Sequence, residues 1–328
     1  MNKIFNLKLL KKGIPTYFKH TFLIFATAVV LSGCGKDETT PEEVIPEEVV
    51  DTTIEPLTKK IMDNSTIITT FVSDNTVTVG AGMKQTRIAY KRRDNLPMTM
   101  YILEVDMKTP NISIQGMAPY NDYVTGFQKI SEMSRDNEMA GTHIMAAING
   151  DFYNTTTGAP LSAFYINNRA YMTTVPSGRT FFGQMNDGTL VIGGVDTKGV
   201  TRPVDRALLK NAVGGAQWLI DNNVKVPTFG DVSIEPRTAI GYTANNVIYA
   251  VVVDGRQEAY SNGINFPDLR DIFVALGTKD AINLDGGGSS TLVTKDVAKN
   301  QWLVQNKPSQ AFNAERLVGN GLAFVLKK

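Results

Sequence analysis

The stretch Asp280-Ala281-Ile282-Asn283-Leu284-Asp285-Gly286-Gly287-Gly288-Ser289-Ser290-Thr291 changes character at Asp285. Residues 280 to 284 read as a short buried strand, and three successive glycines follow the aspartate. Glycine accepts positive φ and lets a backbone approach a ligand closely, so the free N–H groups of Gly286, Gly287 and Gly288 predict an anion-binding nest. The hydroxyls of Ser289, Ser290 and Thr291 add donors suited to phosphate or sugar oxygens. No Gly-Lys-Ser/Thr follows, which excludes a Walker loop, and simple turn-making is the competing explanation of the glycines.

Upstream of this strand, Leu269, Ile272, Phe273 and Leu276 recur at helical spacing and predict a helix over 266–276. Before it, Ile248 to Asp254 reads as a strand ending Val-Asp. The same succession occurs earlier in the chain: Met100 to Asp106, a helix over 125–138 with Phe127, Ile130 and Met133 apolar, the strand His143 to Ile148, then Asn149-Gly150-Asp151. The parallel suggests an internal pseudo-repeat of strand–helix–strand units, chance being the alternative. A repeat would bring Asp151 and Asp285 together, and two carboxylates in one cleft are what glycosyl transfer to water needs. Further runs rich in Ile, Val, Thr and Tyr lie at 66–72, 77–79, 86–91, 98–107 and 111–117,. The expected fold is α+β, with twisted mixed β-sheets flanked by helices and the site where the Asn-x-Asp strands end.

Composition narrows the chemistry. Of the 328 residues 33 are Lys or Arg and 32 are Asp or Glu, so no basic surface for nucleic acid is expected,. The chain holds one Cys and two His. Cys34 and His20 both precede the folded part, leaving His143 as its single imidazole. No disulfide, Cys nucleophile or Cys/His zinc site can be built there, and a Ser-His-Asp hydrolase competes poorly; His143, at the start of an apolar strand, is read as structural. Five lysines without an acid precede the apolar run Thr21 to Leu31 and Leu31-Ser32-Gly33-Cys34. That resembles a lipoprotein signal peptide (1–33) with Cys34 as the lipidated residue. Residues 34–58, rich in Glu and Pro, read as a solvated tether, and 59–328 as the catalytic domain. The expected location is the bacterial envelope, lipid-anchored in the outer membrane and facing either the periplasm or, as Lys36-Asp37-Glu38 suggests, the cell surface.

Arginines form a second constellation: Arg237 in Pro236-Arg237-Thr238, Arg256 in Asp254-Gly255-Arg256, and Arg316 in Glu315-Arg316. A guanidinium fork matches phosphate bidentately, while Asp254 and Glu315 offer the alternative of simple ion pairs. Together with Ala147-Ile148-Asn149-Gly150-Asp151-Phe152-Tyr153, Gly214-Gly215, Val253-Asp254-Gly255-Arg256, Asn283-Leu284-Asp285-Gly286-Gly287-Gly288 and Asn306-x-Pro308-Ser309, these motifs resemble the phosphodiester glycosidase family over about 77–326. The resemblance implies hydrolysis of a sugar-1-phosphodiester, N-acetylglucosamine-like, at the bond between anomeric carbon and phosphate oxygen. Asp285 is expected to be catalytic with Asp151 as its partner; Asp254 fixes Arg256 or joins the acid pair. Arg237, Arg256 and Arg316 would hold the phosphate, Asn149 and Asn283 would bind sugar hydroxyls or orient the carboxylates, and Ser289 and Ser290 would complete the nest. Trp218, Tyr242 and Tyr260 are candidates to stack on sugar, with core packing as the alternative. No cofactor or metal is expected; the partners are the phosphodiester substrate and, through the anchor, a membrane. The alternatives are a non-catalytic glycan-phosphate binding lipoprotein, and a metal-dependent phosphodiesterase cleaving P–O with Asp151, Asp254 and Asp285 as ligands.

Overall fold

The computed structural model describes residues 53–122, 125–195 and 201–327. The expected signal peptide, Cys34 and nearly all of the tether lie outside the described residues. The folded part includes residues that the sequence assigned to the tether. Pro56–Asn64 is helical, with Thr58 and Ile61 buried, so the last expected tether residues belong to the fold.

Three sheets carry the described architecture, and every strand pairing within them is antiparallel. The fold is therefore α+β, with antiparallel rather than mixed sheets. The largest has eight strands, in the order Thr70–Gly80, Met83–Lys91, Pro97–Asp106, Val247–Val253, Arg237–Tyr242, Asp280–Asn283, Trp218–Asp221, Val224–Lys225. Gln301–Val304, Leu292–Asp296, Thr142–Asn149, Gly321–Lys327 and Ile112–Met117 form the five-stranded sheet. A six-stranded sheet centres on Arg179–Met185 and Leu209–Gly215.

Alternation along the strands sorts side chains between two cores. Ile248, Ala250 and Val252 enter a core shared with Ile148, Leu322, Phe182 and Val213 of the other two sheets. Tyr249, Val251 and Val253 turn to the opposite face, where the helices Pro56–Asn64 and Phe266–Leu276 cover them. Both faces of the large sheet are thus buried, which is why IYAVVVD reads as a continuous apolar run although its pairing is antiparallel. The helix Phe266–Leu276 matches its expected bounds because its signals are local: Asn265 caps it by accepting from the Asp268 N–H at 2.8 Å, Pro267 sits in its first turn, and Gly277 ends it at φ 73°,. Phe266, Leu269, Ile272, Phe273 and Leu276 are its buried face, each side chain contributing about 1.5–3 kcal/mol.

The other expected helix is shorter. It spans Ile130–Asn137, because Gln128 is extended and exchanges backbone hydrogen bonds with Val318, both 3.0 Å. The proposed repeat units are also built differently. Val247–Val253 and Asp280–Asn283 share one sheet, separated only by Arg237–Tyr242, whereas Pro97–Asp106 and Thr142–Asn149 belong to different sheets.

Candidate active site

The strands Thr142–Asn149 and Asp280–Asn283 end side by side at the seam between their two sheets. The Asp285 N–H donates to the Gly150 carbonyl at 3.0 Å. Asn149 closes the seam: its Oδ1 accepts from Thr238 Oγ1 (2.8 Å) and the Thr291 N–H (3.0 Å), and its Nδ2 donates to the Asp285 carbonyl (2.7 Å). Asn149 is thus a buried clasp, its Oδ1 and one Nδ2 hydrogen engaged across the seam. Asn283, fully buried, donates to the Leu284 carbonyl at 2.6 Å, so it too shapes the turn.

Asp151 and Asp285 do come together, close enough for the Asp285 charge to raise the Asp151 carboxyl, but their surroundings differ. The Asp151 side chain is 0% exposed. It accepts from the Ser162 N–H at 2.7 Å and from the Arg179 guanidinium, while Asn320 grips its backbone N–H at 2.6 Å and its carbonyl at 3.2 Å. Burial pushes its carboxyl up to about 7, with the Arg179 charge and the Ser162 N–H opposing. A carboxylate with no accessible surface cannot touch a substrate, so the expected acid partner is instead the anchor of an arginine.

Asp285 is half-buried. Burial raises its carboxyl as well, while the Ser289 hydroxyl, the Gly286 N–H at 2.9 Å, and the charges of Arg316 and Arg179 favour its ionised form. Arg179, 15% exposed and stacked 4.8 Å from the Phe152 ring centroid, is the site arginine that sequence reasoning missed. The available signal was Gly178-Arg179 at the start of a strand.

The glycine run forms a tight turn more than a nest. The N–H groups of Gly286, Gly287, Ser289 and Ser290 are bonded to Asp285 Oδ1 and to the carbonyls of Pro236, Gly286 and Gly287. Only the Gly288 N–H in this run has no acceptor among the described residues. Arg256 lies on one side of the turn, with terminal nitrogens 3.3 and 3.6 Å from where a Gly287 Cβ would sit and its Nε on Glu235 at 2.6 Å. Arg316 lies on the other, its Cδ 3.5 Å from a Gly288 Cβ position. Ser289 faces Asp285, and Ser290 is buried beneath the turn.

Two expected members stand elsewhere. Arg237 points to the helical face, stacked 4.0 Å over Phe266 and donating to the Ser233 carbonyl (2.9 Å) and hydroxyl (3.0 Å), so it locks the preceding loop and its fork is not free for phosphate. Asp254 pairs neither with Arg256 nor with Asp285. It accepts from Asn306 Nδ2 and the Lys307 N–H, both 2.9 Å, and from Tyr260 Oη at 3.2 Å, and burial raises it to about 6. Since Asn306 also donates to the Ser290 carbonyl at 3.0 Å, Asp254 steadies the glycine turn from behind. Glu315 accepts from the Ser131 N–H at 3.0 Å at the start of a helix, leaving Arg316 unpaired among the described residues. Tyr242 and Tyr260 hydrogen-bond Asp280 and Asp254, and Trp218 packs in the core. His143 belongs to a Glu138–Lys295 cluster away from this seam.

The carboxylates of Asp151, Asp254 and Asp285 do not converge as one ligand set, the first two being engaged by Arg179 and Ser162 and by Asn306, Lys307 and Tyr260. Two clefts, of about 1140 Å³ beside Gln217 and Trp218 and about 370 Å³ beside Arg92 and Asp268, are lined by neither Asp151 nor Asp285.

Residues 142–325 match the sequence profile of a family described as phosphodiester glycosidase. Among curated proteins, N-acetylglucosamine-1-phosphodiester alpha-N-acetylglucosaminidase of Mus musculus is 27% identical over 164 residues, 45% of this chain and 31% of the mouse protein; the Homo sapiens protein is 29% identical over the same shares. The SPbeta prophage-derived uncharacterized protein YomE of Bacillus subtilis is 31% identical over 115 residues, 32% of this chain and 17% of that one. The matches span less than a third of these relatives' own length. Among solved structures, the catalytic domain of zebrafish N-acetylglucosamine-1-phosphodiester alpha-N-acetylglucosaminidase, auto-inhibited by its pro-peptide, has a TM-score of 0.57 at 18% identity and covers 78% of this chain and 88% of that one. A hypothetical protein from Synechocystis matches at 0.57 and 15% identity, covering 78% and 64%. These are likenesses of fold.

Proposed function

The chain belongs to the phosphodiester glycosidase family, and from that premise we propose that it hydrolyses a sugar-1-phosphodiester, with an N-acetylglucosamine-like sugar, at the bond between C1 and the phosphate oxygen. Water enters, the C1–O bond breaks, and free sugar and a phosphate monoester leave. The observation that carries this reading is the partly buried Asp285 carboxylate beside Arg179 and Arg316, with the fully enclosed Asp151 behind it. A phosphate monoester departs as a stable anion, so fixed positive charge at the leaving group replaces much of the proton donation that an alkoxide would need. One accessible carboxylate then suffices, facing the oxocarbenium-like centre as nucleophile or as base toward water.

In this arrangement Arg256, Arg316 and the Gly288 N–H take the phosphate, and Arg179 reaches the site from its seat on Asp151. Asp254, through Asn306, holds the turn that presents Gly288. The test is to incubate the purified protein with an N-acetylglucosamine-1-phosphate diester and identify products by mass, with and without chelator. Free sugar in both conditions is expected. Sugar phosphate, or loss of turnover in chelator, would move the chemistry to phosphorus and a metal, and binding without turnover would favour a glycan-phosphate binding protein.

A further inference from the structure

The cavity of about 370 Å³ lies on the helical face of the large sheet, where the end of the strand Met83–Lys91 meets the start of the helix Phe266–Leu276. Its volume is that of a small-molecule site, and no residue given a part in the proposed reaction lines it. Ile67, Met98, Ile234 and Ile264 supply apolar walls. Ile264 exchanges backbone hydrogen bonds with Glu235 at 2.9 and 3.3 Å, which ties the wall at Ile234 to the wall at Ile264.

The polar groups in this cavity lack partners. Tyr90 is 1% exposed, yet its hydroxyl makes no hydrogen bond among the described residues, although it feels the charges of Asp268 and Arg92, which line the same cavity. So deeply enclosed a phenol ordinarily has a partner. Asp268 stands in the first turn of its helix, where its own N–H donates to Asn265 Oδ1 at 2.8 Å. No cation pairs with its carboxylate among the described residues. Arg92 is spent on Asp94 at 2.7 Å and on the Gly263 carbonyl at 3.0 Å, and Arg270 on Asp271 at 2.9 Å. Burial and the Asp271 charge raise the Asp268 carboxyl, and the charges of Arg92 and Arg93 oppose them. Arg93 is exposed where it lines the cavity, with no ion pair or hydrogen bond among the described residues. Arg92 and Asp94 cancel, so the cavity retains one unpaired charge of each sign.

We infer that this cavity is a binding site for a free α-amino acid with an apolar side chain. The ammonium meets Asp268 and the Tyr90 hydroxyl, the carboxylate meets Arg93, and the side chain lies among the four apolar walls. A ligand that is only a cation would be repelled by Arg93, and one that is only an anion by Asp268. A neutral sugar would answer neither charge and would set hydroxyls against apolar walls. The inference goes beyond the glycosidase reading and does not depend on it.

The test is isothermal titration of the purified protein with L-leucine, leucinamide, N-acetyl-L-leucine and glycine. L-leucine should bind with a Kd on the order of 0.1 mM, and the other three, which lack the carboxylate, the ammonium and the side chain in turn, about tenfold more weakly. The substitutions must match the missing groups. Asp268→Asn should weaken leucine about tenfold and leave N-acetyl-L-leucine unchanged, while Arg93→Gln should weaken leucine about tenfold and leave leucinamide unchanged. Arg93 is exposed and unpaired, so its variant keeps the fold and carries the test if Asp268→Asn loosens the helix start. No binding of leucine at about 10 mM, glycine binding as tightly as leucine, or a leucine affinity unmoved by Arg93→Gln would overturn the inference. Substrate turnover does not enter, so the glycosidase reading stands or falls by its own experiment.

Discussion

The corners at Asp151 and Asp285 begin from nearly the same sequence, Ala-Ile-Asn-Gly-Asp and Ala-Ile-Asn-Leu-Asp, and finish as chemical opposites. At the first, the Ser162 N–H and an Arg179 stacked on Phe152 meet the carboxylate, and no surface remains. At the second, three glycines leave the carboxylate partly open, with donors along one edge. A strand ending in Asn-x-Asp thus delivers an aspartate to the seam, and the residues that come after decide whether it reacts or supports.

The largest expected effect tests the open corner. Asp285→Asn keeps the shape and removes the charge that, in the proposed reaction, faces C1, so turnover of a sugar-1-phosphodiester should fall about 10³-fold or more with the thermal unfolding midpoint little changed. If more than a tenth of the activity survives, Asp285 is not the reacting group and the contrast between the corners loses its chemical meaning.

The closed corner calls for a different experiment, because Asp151 is argued to act through Arg179. Asp151→Asn and Arg179→Met should each lower kcat/KM about 10²-fold by misplacing the guanidinium, and the double variant should be no worse than Arg179→Met alone. Multiplied effects in the double variant would mean that Asp151 reaches the substrate independently.

Much of this contrast could be read in the sequence only as far as local signals reach. The strand before Asp285 and the helix Phe266–Leu276 were legible because caps, apolar spacing and glycines lie within a few residues of one another. The expected helix over 125–138 was over-read at its start: Phe127 fits helical spacing, but Gln128 is drawn into an extended bridge by Val318, far along the chain. Arg179 was illegible for the same reason. It reaches Asp151 because Arg179–Met185 pairs with Leu209–Gly215, and Gly214 of that partner leaves the space that the Asp151 carboxylate fills. Arg237 shows the reverse error, since a fork suited to phosphate was spent on Ser233 and Phe266 once strand alternation turned it outward.

Acidity offers a third and smaller test. Asp151 and Asp254 are raised by burial from the usual 3.8 to about 7 and about 6. Both hold a proton more tightly folded than unfolded, so their contribution to stability is fully present below about 4 and is lost as pH rises through 6 and then 7. The unfolding midpoint should therefore decline across that window, and Asp254→Asn should flatten its lower part. A midpoint that climbs from pH 5 to 7 would show that Asp151 and Asp254 are ionised in the fold and that their hydrogen bonds outweigh burial.

The smallest expected effect separates the two reasons a glycine is needed at these corners. Gly287 has φ 60°, so Gly287→Ala forces a side chain into the left-handed region and should cost about 1 kcal/mol, with the added methyl meeting only the mobile end of Arg256. Gly214 has no such backbone demand; a methyl there would meet the buried Asp151 carboxylate and Ser162, and overpacking a closed site costs about 1–3 kcal/mol. Chemical denaturation should therefore rank Gly214→Ala as the less stable variant. Activity should rank them by another route, since Gly287→Ala disturbs the phosphate side directly while Gly214→Ala displaces Arg179 by way of Asp151. Were Gly287→Ala the more damaging to stability, the glycine turn and not the buried pair would be the structural keystone of the seam, and the division into a supporting corner and a reacting one would have to be reversed.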